Sequence, residues 1–189
     1  MPLIGPERSL SPDDLFSESY QASGTTAGWR WWAMYTRSRQ EKQLMRRLNA
    51  QDAAFYSPII AHRYRSPAGR SRTSHLPLFA NYVFLFGDET QRYAAMASGC
   101  VSRCIDVANH EGLVRDLSRI QRLIDVGTPV TAESRIEAGT PVRIKSGSLL
   151  GLEGVVFKRH GLDRLLVTVD FLQQGASVEL ADWEVERLA

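Results

Sequence analysis

The amino-acid sequence predicts an α+β protein made of an antiparallel sheet sandwiched with helices, joined by a linker to a small five-stranded β-barrel. Three observations support this fold class. Residues 82–86 are aromatic and β-branched, a composition typical of a strand. Two apolar stripes at helical spacing lie along the same part of the chain, at 39–51 and 113–126. Residues 139–189 instead carry short alternating apolar runs separated by glycine, which favours a small barrel.

The strand at 82–86 is apolar on both of its faces. Alternation places Tyr82, Phe84 and Phe86 on one face and Val83 and Leu85 on the other. Such a strand must be covered twice, by helices of the same chain or by a partner. A plain core strand is the alternative interpretation of this aromatic run.

The chain before this strand begins with a segment that we expect to be flexible. Residues 1–28 are rich in Ser, Pro, Gly and Asp and show no sustained periodicity, so they predict a flexible extension. Residues 29–36 predict a strand. Residues 39–51 predict a helix, with Ser38 and Glu41 at the spacing of a capping box.

The remaining elements up to residue 126 alternate between strand and helix. Residues 54–60 predict a strand, and residues 61–76 predict two short strands around a Pro/Gly turn. A short helix at 91–98, a strand at 101–107 and a helix at 113–126 follow. This order suits an α+β sandwich. Residues 127–138 lack apolar periodicity and predict a linker.

The charge of the chain is unevenly distributed. The whole sequence has a net charge of +2, whereas residues 37–75 hold nine Lys and Arg against two Asp and Glu, a local charge of +7. A basic zone on a nearly neutral protein favours a polyanionic ligand such as nucleic acid. A solvated basic face is the alternative.

No motif in the sequence predicts catalysis. The four histidines are scattered, no Ser or Cys lies in a nucleophile motif, and no phosphate-binding loop is present. Cys100 and Cys104 are four residues apart without a second pair, so we expect no metal, cofactor or disulfide framework. No apolar run reaches the roughly 20 residues of a membrane span, and no secretory signal is found. We therefore expect a cytoplasmic protein that is not an enzyme and binds no membrane.

Several stretches resemble the NusG family of transcription factors. Residues 77–86, PLFANYVFLF, resemble the signature turn and strand of its N-terminal domain, with Ala80 where the family usually has proline. Residues 31–48 (WWAMYTRSRQEKQLMRRL) and 55–60 (FYSPII) resemble its first strand, first helix and second strand. Residues 142–156 look like a KOW motif, and Asn81 is similar to the residue of the specialised RfaH-like branch.

The resemblance implies an N-terminal domain over 29–126 that binds RNA polymerase and an SH3-like KOW domain over 139–189. It implies a transcription elongation and antitermination factor that contacts the polymerase clamp through an aromatic depression. The matching aromatic positions are Trp31, Phe79, Tyr82 and Phe84. An apolar residue in the KOW turn, here Leu149, would contact a small-subunit ribosomal protein or the Rho terminator.

The basic zone supplies the candidate nucleic-acid contacts. Arginines on a protruding hairpin suit phosphate contact and stacking on exposed bases. By resemblance, the strand-to-helix turn would help to read the non-template DNA strand. The candidate residues are Arg37, Arg39, Arg63, Arg65, Arg70 and Arg72.

An alternative function is a ribosome-associated protein that binds RNA through its KOW segment. Residues 139–189 carry six basic and seven acidic residues, a net charge of −1, which argues against ribosomal RNA as the main ligand. Some RfaH-like relatives fold this segment as helices. Its glycines and its Val-rich and Ile-rich runs instead predict strands here.

Overall fold

The computed structural model describes residues 7–67, 69–135, 139–180 and 185–188. The chain forms two compact units, Met1–His110 and Glu111–Ala189. The division therefore falls upstream of the linker predicted at 127–138.

Over its described residues, the first unit contains a five-stranded antiparallel sheet, a separate hairpin and three helices. In chain order the elements are β1 (Leu10–Ser11), α1 (Glu18–Thr26), β2 (Arg30–Thr36), α2 (Glu41–Ala50), β3 (Ala54–Tyr56), β4 (Ile59–Arg65), β5 (Ser71–Pro77), β6 (Tyr82–Gly87), α3 (Glu89–Ala97) and β7 (Val101–Asp106). The sheet order is β1-β3-β6-β2-β7, and β4 and β5 form a two-stranded sheet of their own. The predicted strands and helices between 29 and 107 are thus present with shifted ends.

The register between β2 and β6 sorts the aromatic side chains of the sheet onto two faces. On the first face, Trp31 lies opposite Phe86 and Tyr35 lies opposite Tyr82. On the second face, the side chains of β2, β3 and β6 pack with α2 and α3 in one apolar cluster. Residues 83–86 are all buried, which confirms the prediction that this strand is covered on both faces.

The N-terminal segment is structured, so the prediction of a flexible extension is wrong for residues 7–28. Strand β1 pairs with β3, with Leu10 opposite Tyr56. The ring of Phe16 lies 5.0 Å from that of Tyr56 and 6.2 Å from that of Trp31. Leu15 is fully buried. Phe16 and Leu15 lack helical or strand periodicity, yet Phe16 packs against the rings of the first face and Leu15 is buried.

Helix α1 approaches that face through a glycine. A Cβ atom added at Gly24 would lie 2.4 Å from Cε1 of Phe86, which is closer than van der Waals contact allows. The side chain of Gln21 accepts a hydrogen bond of 2.9 Å from the indole N–H of Trp31. It also donates one of 2.6 Å to the carbonyl of Leu15. The helix therefore lies directly on the aromatic rings.

In the part of the second unit that the structure describes, a long helix is combined with a six-stranded antiparallel sheet. Its elements are α4 (His110–Asp125, whose first residue closes the first unit), β8 (Thr131–Glu133), β9 (Thr140–Ile144), β10 (Glu153–Arg159), β11 (Leu162–Val169), a 3-10 turn (Asp170–Leu172), β12 (Gln174–Glu179) and β13 (Val185–Arg187). The order is β13-β9-β10-β11-β12-β8. Over the described residues this sheet has two edge strands, so the predicted closed barrel of five strands is wrong there. The prediction that residues 139–189 form strands rather than helices is confirmed for the described residues.

Strand β8 lies in the segment predicted to be a linker. It pairs with β12, with Glu133 opposite Gly175 and Thr131 opposite Ser177. The buried carboxylate of Glu133 accepts a hydrogen bond of 2.6 Å from Ser177 Oγ and pairs with Arg159 at 2.9 Å. The linker prediction is therefore wrong for residues 131–133. The strand was not predicted because three residues are too few to show an alternating pattern.

Polar contacts attach helix α4 to this second sheet. Arg119 pairs with Glu153 at 2.8 Å, and Arg122 donates a hydrogen bond of 2.9 Å to the carbonyl of Leu150. The backbone N–H of Asp170 donates to the carboxylate of Asp116 at 3.1 Å, while burial raises the pKa of Asp116. The helix was predicted as the last element of a domain ending at residue 126, but these contacts group it with the second unit. None of the described helices has the length and apolar character needed to cross a membrane.

A valine at position 24 tests the packing of the N-terminal segment. We expect Gly24→Val to lower the free energy of unfolding by about 1–3 kcal/mol, because overpacking forces the helix off the Phe86 ring. Ala22→Val, on the exposed side of the same helix, is the matched control. Urea unfolding followed by tryptophan fluorescence measures both variants. Equal stabilities would show that α1 does not rest on Phe86.

Candidate binding surfaces

Three of the four aromatic residues predicted to contact a polymerase are buried. Trp31 and Phe84 are 0% exposed and Phe79 is 1% exposed. Tyr82, at the start of β6, is half-buried and reaches the surface. In this structure only Tyr82 of the four can contact a partner directly.

Tyr82 belongs to a small aromatic patch that sequence reasoning did not identify. Its ring meets that of Tyr35 edge to face at 5.2 Å. The guanidinium carbon of the exposed Arg103 lies 4.8 Å from the centre of the Tyr35 ring, within the range of a cation–π interaction. Tyr35 could have been identified as part of this patch by predicting that β2 pairs with β6, since Tyr35 lies directly opposite Tyr82.

The turn that precedes Tyr82 is held by a buried carboxylate. Asn81 has a positive φ of 67°, a conformation that asparagine tolerates. Its backbone N–H donates a hydrogen bond of 2.8 Å to Glu41. Glu41 does not cap its own helix, and the N-cap is Gln40 without a side-chain hydrogen bond. The predicted capping box of Ser38 and Glu41 is therefore wrong, because the carboxylate is used across the fold instead.

Arg37 and Arg39 lie on the connection between β2 and α2, and both are exposed. The backbone N–H of Arg37 donates to the carbonyl of Cys100 at 2.8 Å. The N–H of the preceding residue, Thr36, donates to the carbonyl of Asn81, also at 2.8 Å. These backbone contacts join the connection to the turn before Tyr82, so a cationic and an aromatic element share one corner of the first unit.

The remaining four candidate arginines lie on the β4–β5 hairpin, and all of them are exposed: Arg63, Arg65, Arg70 and Arg72. Over the described part of the chain, none of their guanidinium groups forms an ion pair with a carboxylate. Their charge is therefore not neutralised by this unit.

Leu149, the predicted contact of the KOW turn, is fully buried, whereas Leu150 beside it is 60% exposed. The turn between β9 and β10 uses Gly147 and Gly151 at positive φ. The exposed apolar residue of this turn is therefore one position further along than the pattern indicated.

The cysteines occupy apolar surroundings. Cys100 is buried in the cluster beneath α2 and α3, and burial raises the pKa of the Cys104 thiol. Among the residues that the structure describes, no group of three His, Cys, Asp or Glu side chains could hold a metal ion.

Comparison with known proteins identifies a family for the first part of the chain. The family model described as "Transcription termination factor nusG" matches residues 29–137, more than half of the chain. The match begins after the N-terminal segment and continues past the boundary between the two units. A search of curated proteins returns no match.

Removal of the Glu41 carboxylate tests whether its hydrogen bond with Asn81 stabilises the turn before Tyr82. We expect Glu41→Ala to lower the free energy of unfolding by about 1–3 kcal/mol, because the partly buried N–H of Asn81 loses its acceptor. Glu41→Gln keeps an oxygen acceptor and should lose less. Glu18→Ala, at an exposed first-turn glutamate of α1, is the control. Urea unfolding and amide exchange at Asn81 measure the effect, and no difference between Glu41→Ala and Glu18→Ala would contradict it.

Proposed function

The chain belongs to the NusG family of transcription factors, and on that premise we propose that it is an elongation and antitermination factor of the RfaH-like type. It binds RNA polymerase through the first unit and contacts nucleic acid with its arginines. The observation that carries this proposal is the corner where Tyr35 and Tyr82 reach the surface beside Arg37, Arg39 and Arg103.

The polymerase contact is proposed to centre on Tyr82. Interface hot spots are enriched in Tyr, Trp and Arg that become desolvated at the centre of a contact. Tyr82 has its ring half-buried and braced by Tyr35 and Phe84, the latter at 6.3 Å. A braced ring loses little rotamer entropy on binding. Phe84 supports this ring from within the fold. The backbone N–H of Tyr82 donates a hydrogen bond of 3.3 Å to the carbonyl of Phe79.

The hairpin and the β2–α2 connection are proposed to contact the non-template DNA strand. When exposed guanidinium groups without carboxylate partners neutralise phosphates, the counterions condensed on the nucleic acid are released. This release supplies affinity. The four hairpin arginines have this character over the described residues. Contacts between arginine and phosphate position a nucleic acid without reading its base sequence.

The second unit is proposed to be a KOW domain whose β9–β10 turn contacts a small-subunit ribosomal protein or Rho. The apolar residue available for such a contact is Leu150. Arg122 holds the carbonyl of this residue, and the buried Leu149 anchors the turn.

A tyrosine substitution tests the polymerase contact. We expect Tyr82→Ala to weaken binding of core RNA polymerase to the full-length protein by about 1–3 kcal/mol, because a central aromatic contact is lost. Tyr82→Phe should retain most of the affinity. Tyr93→Ala is the matched control, since Tyr93 is a 63% exposed tyrosine on α3.

The readout is a titration of core polymerase with labelled protein, after circular dichroism has shown that each variant is folded. If Tyr82→Ala binds as tightly as Tyr93→Ala, the assignment of Tyr82 is wrong. If the unaltered protein does not bind polymerase at all, the proposed function itself fails.

An arginine triple variant tests the contact with nucleic acid. We expect Ala at positions 65, 70 and 72 to weaken binding to an elongation complex and to flatten its salt dependence. Each lost phosphate contact removes roughly 0.7–0.9 from the slope of log K against log salt. Replacing Lys145, Lys158 and Arg187, which are exposed cations of the second unit, makes the same change in charge and is the control. An unchanged slope in the hairpin variant would mean that the hairpin is only a solvated face.

A further inference from the structure

The β4–β5 hairpin has two chemically different sides. Directly opposed residues of an antiparallel pair share one side of the ribbon, and successive residues alternate between sides. His62 is opposite Ser74 and Tyr64 is opposite Arg72, so these four residues share the first side. Arg63, opposite Thr73, lies on the second side. Arg65, opposite Ser71, lies there as well.

The first side presents two rings to water. The rings of His62 and Tyr64 are nearly parallel, at 21°, with their centres 6.2 Å apart. Tyr64 is 44% exposed and His62 is also exposed. Leu76, opposite Ile60 on the same side, is another exposed apolar residue. The ribbon therefore carries a row of exposed planar and apolar groups with Arg72 beside Tyr64.

The second side presents mainly charge. Arg63 and Arg65 lie there opposite Thr73 and Ser71. The ring on this side is His75, which lies opposite Ala61 and is half-buried, so it is less accessible than His62 or Tyr64. Both guanidinium groups are exposed and have no carboxylate partner among the described residues. A ligand of this hairpin must therefore be a polyanion that also offers planar apolar faces, a combination found in nucleic acids.

The arrangement of the rings distinguishes an unpaired strand from a duplex. In a duplex the faces of the bases are covered by their neighbours, which lie about 3.4 Å apart along each strand. The ring centres of His62 and Tyr64 are nearly twice as far apart, at 6.2 Å. Such a pair suits bases that have been drawn apart and have lost their stacking partners, as in single-stranded binding sites.

We propose that His62, Tyr64 and Arg72 form a base-stacking ledge for single-stranded DNA, with Arg63 and Arg65 holding phosphates on the other side. The inference rests on the proposed function, in which this hairpin meets a DNA strand. It adds that the strand is unpaired, that its bases are bound, and that one side of the ribbon binds them. The contact is made without base-specific hydrogen bonds, so it tolerates different sequences.

The test compares single-stranded and duplex DNA with the full-length protein. The probes are fluorescein-labelled oligothymidine of roughly 12 nucleotides, within the span of single-stranded binding sites, and a duplex of the same length. Fluorescence anisotropy gives both affinities over a series of salt concentrations. We expect Tyr64→Ala to weaken single-strand binding by about 5-fold to 100-fold, with duplex binding and the salt slope unchanged.

Three further variants separate rings from charge. Tyr64→Phe should keep the single-strand affinity within about twofold, because the stacking face is retained. His62→Ala should weaken single-strand binding, by less than Tyr64→Ala. The double variant Arg63→Ala/Arg65→Ala should weaken binding to both probes and lower the salt slope by roughly one to two.

The outcomes distinguish this inference from the proposed function. If the arginine variant weakens binding while Tyr64→Ala and His62→Ala have no effect, the ledge is refuted and the nucleic-acid function stands. If Tyr64→Ala weakens duplex binding as much as single-strand binding, the preference for unpaired DNA is refuted. If oligouridine binds more tightly than oligothymidine with the same ring dependence, DNA is the wrong ligand. If no hairpin variant alters any affinity, the proposed role of the hairpin fails together with the ledge.

Discussion

The pairing of β2 with β6 is the constraint on which the first unit depends. Both strands are apolar on both faces, so neither face of the sheet can be left in water. Helices α2 and α3 cover one face. On the other face Trp31 stacks on Phe86 at 5.2 Å, and the N-terminal segment packs onto these rings. Burying each large side chain contributes about 1.5–3 kcal/mol, which explains why residues 7–28, outside the family match, are ordered here.

The same register decides which aromatic side chains remain available at the surface. The pair Trp31 and Phe86 lies beneath α1, whereas the pair Tyr35 and Tyr82 lies at the other end of the two strands. Several carboxylates elsewhere in the chain are paired with arginine, and a hydrogen bond from Arg46 lowers the pKa of Glu7. Hydrogen bonds from Arg143 and Arg92 do the same for Glu153 and Glu89. The hairpin arginines have no such partners among the described residues, so their positive charge is not neutralised there.

Features with a regular period could be predicted from the sequence, and features defined by shape or distance could not. The alternation of residues 82–86 and the helical stripe of α2 each extend over enough residues to identify the element. Phe16 and Leu15 follow no period, yet Phe16 packs against the rings of Trp31 and Tyr56 and Leu15 is buried. Glu41 has the spacing of a cap, yet its carboxylate binds Asn81, 40 positions away in the sequence. Alternation could not distinguish buried Leu149 from exposed Leu150, because both lie in a turn.

The short strand β8 has a consequence for how the second unit can be studied in isolation. A fragment that starts at residue 139 omits β8, so it exposes the backbone donors and acceptors of β12 that pair with residues 131–133. It also removes Glu133, the acceptor of Ser177 Oγ and the partner of Arg159. Unpaired strand edges are templates for association between chains. Self-association of such a fragment would therefore reflect the missing edge strand, and a fragment that starts at residue 127 retains it.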